Sequence, residues 1–276
     1  MKPLATFFLF STCFIFSNCS QQQQAVDYVD PFIGTGFHGH TFPGAVVPFG
    51  RVQLSPDTHL LGWDASSGYH YADTTLYGFS HTYLSGTGIG DMGDILFLPF
   101  TGDIPEEKPV ADYRHQNEHA EPGYITCSVM PWNVKAELTA TTRTGWHRYS
   151  FPRDEQANIM IDLSHVLQTN WGHRLIECEL TVVDEYTVEG YRLTTGWAEH
   201  DPIWFRAIFD APITGRTILV DGLPVEGSAV SGREITAFFT FDKSVVQAVV
   251  AVSAVDAKGA QLNLEAEAKD QTFASV

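Results

Sequence analysis

IWFRAIF, residues Ile203–Phe209, places Ile203, Phe205, Ala207 and Phe209 on one face of an extended chain and Trp204, Arg206 and Ile208 on the other. Such a period of two marks a strand buried mainly on one side. Working outward, Ile159–Leu163, Leu180–Val183, Thr187–Leu193, Thr217–Val220, Ile235–Phe241 and Val245–Ser253 share its enrichment in β-branched and aromatic residues. Turn signals separate them: Asp184-Glu185, Asp221-Gly222 and Ser231-Gly232. Long helical periodicity is absent until the end of the chain. There Asp256 is placed to cap a helix, Ala260, Leu264 and Ala268 recur at spacing four, and Glu265 and Lys269 form a favourable pair. The fold class expected is all-β, a large antiparallel β-sandwich with a short C-terminal helix. That helix is expected to run past Asp270 and to have little surface to pack on.

The chain opens MKPLATFFLFSTCFIFSNCS, with Lys2 before an apolar run, Leu4–Phe16, too short to span a membrane. Residues 1–18 read as a signal peptide. Phe16-Ser17-Asn18-Cys19 resembles a relaxed bacterial lipobox, which would leave Cys19 to carry lipid; ordinary signal cleavage nearby is the alternative. Residues 19–25 would then be a tether, 26–255 the sandwich and 256–276 the start of a helical linker. Without residues 1–18 the chain has 15 Lys+Arg against 33 Asp+Glu, a net charge of −18. That balance repels nucleic acid and anionic membrane surfaces, so contact with a membrane would be through the lipid alone. The setting expected is extracytoplasmic: the periplasm or an outer-membrane lipoprotein. Cys127 and Cys178 are too few for a cysteine-rich zinc site and read as two buried thiols in preference to a disulfide.

Between Asp27 and Asp57, Gly34, Gly36, Gly39, Gly44 and Gly50 alternate with Phe32, Phe37, Phe42 and Phe49. A loop of this composition shapes a surface or caps the end of a sandwich. His38 and His40 would share a face on a strand, which suits zinc, but no third ligand stands at motif spacing. Hydrogen bonding to a sugar hydroxyl or to a neighbouring loop is preferred. In Leu61–Tyr71, LGWDASSGYHY, Trp63 offers a flat apolar face for a pyranose and Asp64 can accept from two vicinal hydroxyls. Tyr69 and His70 add polar aromatic surface. The bland alternative makes Trp63 a core residue and Asp64 a turn cap. Gly86, Gly88 and Gly90 precede a strand and not a helix, so they form no dinucleotide loop; they are structural or line a pocket. His81 lies near Ser85, but no nucleophile elbow surrounds them. His81 stays among the candidate sugar contacts. Arg143, Trp146, His147 and Arg148 read as cross-strand or interface packing, and Trp197, Glu199, His200 and Asp201 as loop packing.

Asp27–Asp57, Leu61–Tyr71, Tyr77–Asp94 (YGFSHTYLSGTGIGDMGD), Ala136–Phe151 (AELTATTRTGWHRYSF) and Gly172–Trp197 together resemble, in order, the opening of the glycoside hydrolase family 92 enzymes. These are calcium-dependent, exo-acting bacterial α-mannosidases. Phe37 departs from the family pattern, which commonly has glycine there, and Ala65 from a bulkier residue. The resemblance implies an N-terminal β-sandwich followed by an (α/α) barrel that carries the catalytic acid, the catalytic base and most calcium ligands. This chain stops at Val276, where the barrel would begin. An inverting glycosidase needs two carboxyl groups roughly 6.5–9.5 Å apart. The resemblance places both in the barrel, so no catalytic residue and no metal ligand is nominated here. The function implied is removal of terminal α-linked mannose, α-1,2 by preference, from a mannose-containing glycan with inversion. Calcium is the cofactor of the intact enzyme, and this domain would support the barrel and line the sugar pocket. The alternatives are a stand-alone carbohydrate-binding module and a purely structural lipoprotein, the latter with a dry, filled loop face around Trp63.

Overall fold

The computed structural model describes residues 24–84 and 88–276. The expected signal peptide and Cys19 lie outside the described residues, as do Ser85 and Gly86.

Two large sheets form the body of the described residues. One has nine strands, in the spatial order Ala229–Gly232, Arg174–Val182, Thr187–Thr195, Asp201–Phe209, Val245–Ser253, Thr144–Ser150, Val134–Ala140, Tyr124–Val129 and Glu118–Glu121. The other has eight: Ala45–Val46, Gln53–Asp57, Gly78–Ser80, Leu96–Thr101, Ala157–Asp162, Ile235–Phe241, Ile213–Val220 and Leu223–Val225. Their ladders are antiparallel. Ile203, Phe205, Ala207 and Phe209 are buried and Ile208 is exposed, as the alternation requires. Across the interior Phe209 meets Phe239 and Phe241, with ring centres 6.3 and 5.0 Å apart, and Phe79 stacks on Tyr149. Each such side chain contributes about 1.5–3 kcal/mol by leaving water. The packing is tight at Gly145, where a Cβ would stand 2.8 Å from the His81 ring. Cys127 and Cys178 are free and buried. They sit in the second strand from opposite edges of the nine-stranded sheet.

Asp221 and Gly222 both have positive φ, +51° and +78°, between Val220 and its partner Leu223, a two-residue hairpin of the mirror-image type. Asp184 closes another hairpin, its carboxylate accepting from the Tyr186 amide. Ser231-Gly232 is not a turn. It belongs to the strand Ala229–Gly232, where Gly232 pairs with Cys178. The chain turns one residue later, where the Asp221 carboxylate accepts from the Arg233 and Glu234 amides.

The C-terminal helix is Ala257–Ala268, and the Asp256 carboxylate accepts from the Gly259 amide at 2.6 Å. It stops before Asp270, which has a positive φ of 60°. Nor does it lack a partner: Ala260 and Leu264 are buried, and Asn263 donates to the Val252 carbonyl. Glu267 takes the Arg143 side chain, so the helix is fastened across the nine-stranded sheet. Glu265 pairs with Gln261.

Charge is also buried. Arg192 is fully inaccessible, with Nε 3.1 Å from Asp94 Oδ1. Arg51 lies 3.9 Å from Asp201. Burial and the Asp94 carboxylate raise Asp201 to about 6. Among the described residues no helix is long and apolar enough to cross a membrane.

Candidate functional site

The loop that carries His38 and His40 doubles back on itself. Thr41 N donates to the Gly34 carbonyl and Gly39 N to the Gly36 carbonyl, both at 3.2 Å. A Cβ on Gly39 would lie 1.9 Å from the Gly34 carbonyl oxygen, so only glycine fits between the two histidines. Phe37 and His40 each have φ +56°. The departure at Phe37 therefore falls at a left-handed position, which glycine occupies with less strain. The two histidines do not lie on a strand, yet the turn sends both rings the same way.

They converge on Asp64 and Trp63. The Leu61–Tyr71 loop is drawn shut at its base, where Thr58 N and His59 N both donate to the Gly68 carbonyl. Inside it, Trp63–Ala65 makes one 3-10 turn. His38 Nδ1 donates to Asp64 Oδ1 at 2.6 Å, and His40 Nε2 stands 3.4 Å from the same oxygen. His40 Nε2 is buried without a hydrogen-bond partner. The His38 hydrogen bond holds the Asp64 carboxyl below its ordinary range against a smaller effect of burial. Both imidazoles also meet the indole, His38 at 5.2 Å and His40 edge-on at 4.3 Å between ring centres. Trp63 remains 53% exposed, so its face is open and not a filled core position. Phe37 and Leu61 are exposed beside it. Ala65 is fully buried, where a bulkier residue would need room.

Three other candidates lie elsewhere. Tyr69 is 1% exposed and donates to the Glu118 carboxylate, which also accepts from Tyr113 and His115; burial raises its pKa. It belongs to the core and not to a sugar-facing surface. His70 accepts from the Ala72 amide and donates through Nε2 to the Phe37 carbonyl at 3.0 Å. Nε2 thus holds the histidine loop, while Nδ1 is engaged within its own segment. His81 is fully buried. Its Nδ1 donates to the Ile95 carbonyl, its Nε2 accepts from His147, and His147 Nδ1 accepts from the Tyr149 hydroxyl. Burial lowers His81 to about 4 and His147 well below the usual range, so this wire between the sheets is neutral. His81 cannot meet a sugar from there.

Gly88, at φ +73°, packs against the cluster: a Cβ would lie 3.2 Å from Trp63 Nε1 and 3.4 Å from His40 Nδ1. Gly88 thus lies against both Trp63 and His40. Gln168 is a residue that sequence reasoning passed over. It is fully buried and bonds Gly62, just before Trp63. No spacing signals it, because 106 residues separate the partners. Arg148 and His147 pack across strands, Arg148 holding Glu137.

One carboxylate, two imidazoles and an indole suit hydrogen bonding and stacking on a polyol. They do not suit calcium, which takes roughly six to eight oxygen ligands. Among the described residues no group of three His, Cys, Asp or Glu could hold a metal ion.

Comparison with known proteins agrees with the fold. Residues 28–253 match the family model for the glycosyl hydrolase family 92 N-terminal domain. A family GH92 α-mannosidase from Bacteroides thetaiotaomicron, solved in complex with mannoimidazole, is 37% identical with a TM-score of 0.85, over 91% of this chain and 35% of that one. A second family GH92 enzyme from Bacteroides thetaiotaomicron, an inverting mannosidase, is 22% identical with a TM-score of 0.76, over 90% and 34%, and shares the fold. A curated relative, an uncharacterized secreted glycosidase of Arthroderma benhamiae, is 29% identical over 154 residues, 50% of this chain and 20% of that protein. The chain spans about a third of the solved relatives' length and a fifth of the curated one's. It belongs to the glycosyl hydrolase family 92 N-terminal domain family.

Proposed function

We propose that this chain is the sugar-facing N-terminal domain of an α-mannosidase that removes terminal α-linked mannose, α-1,2 by preference, with inversion. The observation that carries the reading is the convergence of His38, His40 and Asp64 around the half-exposed ring of Trp63. An indole face stacks on the C–H side of a pyranose, and a carboxylate oriented by imidazole accepts from its hydroxyls. The exposed Phe37 and Leu61 extend this surface towards a catalytic partner domain. Calcium belongs, in this reading, to ligands outside the chain. The setting is extracytoplasmic, with Cys19 as a lipid anchor.

The test is kinetic. In the full-length protein Trp63→Ala raises KM for an α-mannoside about tenfold or more, as loss of one well-placed contact does. Its melting temperature stays close to wild type. Unchanged KM and kcat would remove Trp63 from the site and sink the reading.

A further inference from the structure

We propose that Gln168 is a positioning residue for the Trp63–Asp64 turn, an inference that rests on the sugar-facing reading of that turn. Gly62 precedes the turn with φ +90°, so its peptide planes set where the indole points. Gly62 N donates to Gln168 Oε1 at 2.9 Å, and Gln168 Nε2 donates to the Gly62 carbonyl at 2.6 Å. One primary amide thus meets both polar groups of a single backbone residue, fixing its rotation as a strand partner would. Gln168 N also donates to the Leu60 carbonyl at 2.8 Å. The Gly62 carbonyl accepts in addition from Ala65 N at 3.2 Å, which closes the 3-10 turn itself.

The clamp is held in turn. Gln168 is fully buried and has φ +63°, ψ +40°, a left-handed conformation that persists in a non-glycine residue only where its surroundings enforce it. Its side chain lies in a slot opened by a glycine. A Cβ on Gly90 would stand 2.7 Å from Gln168 Cγ and 2.8 Å from Nε2. Two residues earlier, Gly88 lies against Trp63 Nε1. The same loop therefore backs both the amide that holds the turn and the indole that the turn presents. A glutamine that only satisfied buried polar groups would affect stability. One that aims Trp63 affects ligand affinity as well.

Two measurements decide it. In hydrogen exchange on this chain, the Gly62 amide is protected although its loop is at the surface. Free exchange of the Gly62 amide in the wild type would overturn the clamp. In the full-length protein Gln168→Ala removes both bonds. Gln168→Glu keeps the size but sets an acceptor against the Gly62 carbonyl. Gly90→Ala displaces the amide without altering it. All three raise KM for an α-mannoside, Gln168→Ala about tenfold, with a smaller change in kcat. Leu138→Ala, a core truncation in the strand Val134–Ala140, lowers the melting temperature and leaves KM alone. Clamp variants that behave like Leu138→Ala would refute the positioning role. If Trp63→Ala raises KM and Gln168→Ala does not, this inference fails alone. If Trp63→Ala has no effect, the sugar-facing reading fails, and Gly62 exchange still judges the clamp.

Discussion

Gly39 is the residue on which the histidine pair depends. Any side chain there meets the Gly34 carbonyl, so Gly39→Ala must open the turn that aims His38 and His40 at Asp64. The expected outcome is a KM for an α-mannoside raised at least tenfold in the full-length protein, with loss of about 1–3 kcal/mol of stability by chemical denaturation. An unaltered KM would show that the histidines do not act on ligand. Residue types put forward His38, His40, Trp63 and Asp64 as candidates, because imidazole, indole and carboxylate carry recognisable chemistry in glycine-rich loops, and the fold brings these four together. The same reasoning also put forward Tyr69, His70 and His81, which the fold engages elsewhere. Their chemistry is similar; burial sets Tyr69 and His81 apart, and His70 is set apart by its bonds to Phe37 and Ala72. That burial depends on partners far along the chain: Glu118 for Tyr69 and His147 for His81. Gln168 was illegible for the complementary reason. A neutral amide has no distinctive pattern, and its role exists only once Gly62 lies beside it.

At the level of elements, local signals served where the deciding contact is local. The Asp221-Gly222 hairpin needs only two residues that tolerate positive φ, and the cap at Asp256 needs only a carboxylate three residues before an amide. Asp256→Ala should therefore cost about 1 kcal/mol in denaturant unfolding, because the Gly259 amide loses its acceptor. No loss would mean that water replaces the cap without penalty. Ser231-Gly232 has turn composition but lies in a strand, since pairing with Arg174–Val182 supplies hydrogen bonds that a turn would forgo. The C-terminal helix was harder still. Its length is set by the sheet it crosses and by Arg143 meeting Glu267, neither visible in a window of a dozen residues.

Over the whole molecule, the sandwich was legible because alternation repeats in strand after strand, while the charges enclosed by it were not. Asp201 has its pKa raised to about 6 by burial and then by Asp94. A carboxyl raised in the folded state favours folding most fully below its unfolded value, near 3.8, and that benefit is lost as pH rises through about 6. Asp201→Asn should flatten this fall in melting temperature between pH 4 and 6. A wild-type slope retained in the variant would assign the titration to another group. At this scale too, the chain of residues 1–276 alone should not hydrolyse mannosides; turnover by the purified chain would place catalytic carboxylates inside the sandwich. The two buried thiols have a further use. Cys127 and Cys178 lie one strand in from opposite margins of the nine-stranded sheet, and burial raises both pKa values, Cys178 to about 12. Each can be alkylated only after its own margin has peeled open. Peptide mass mapping after a timed pulse of alkylating reagent would therefore show from which side the sheet begins to unzip.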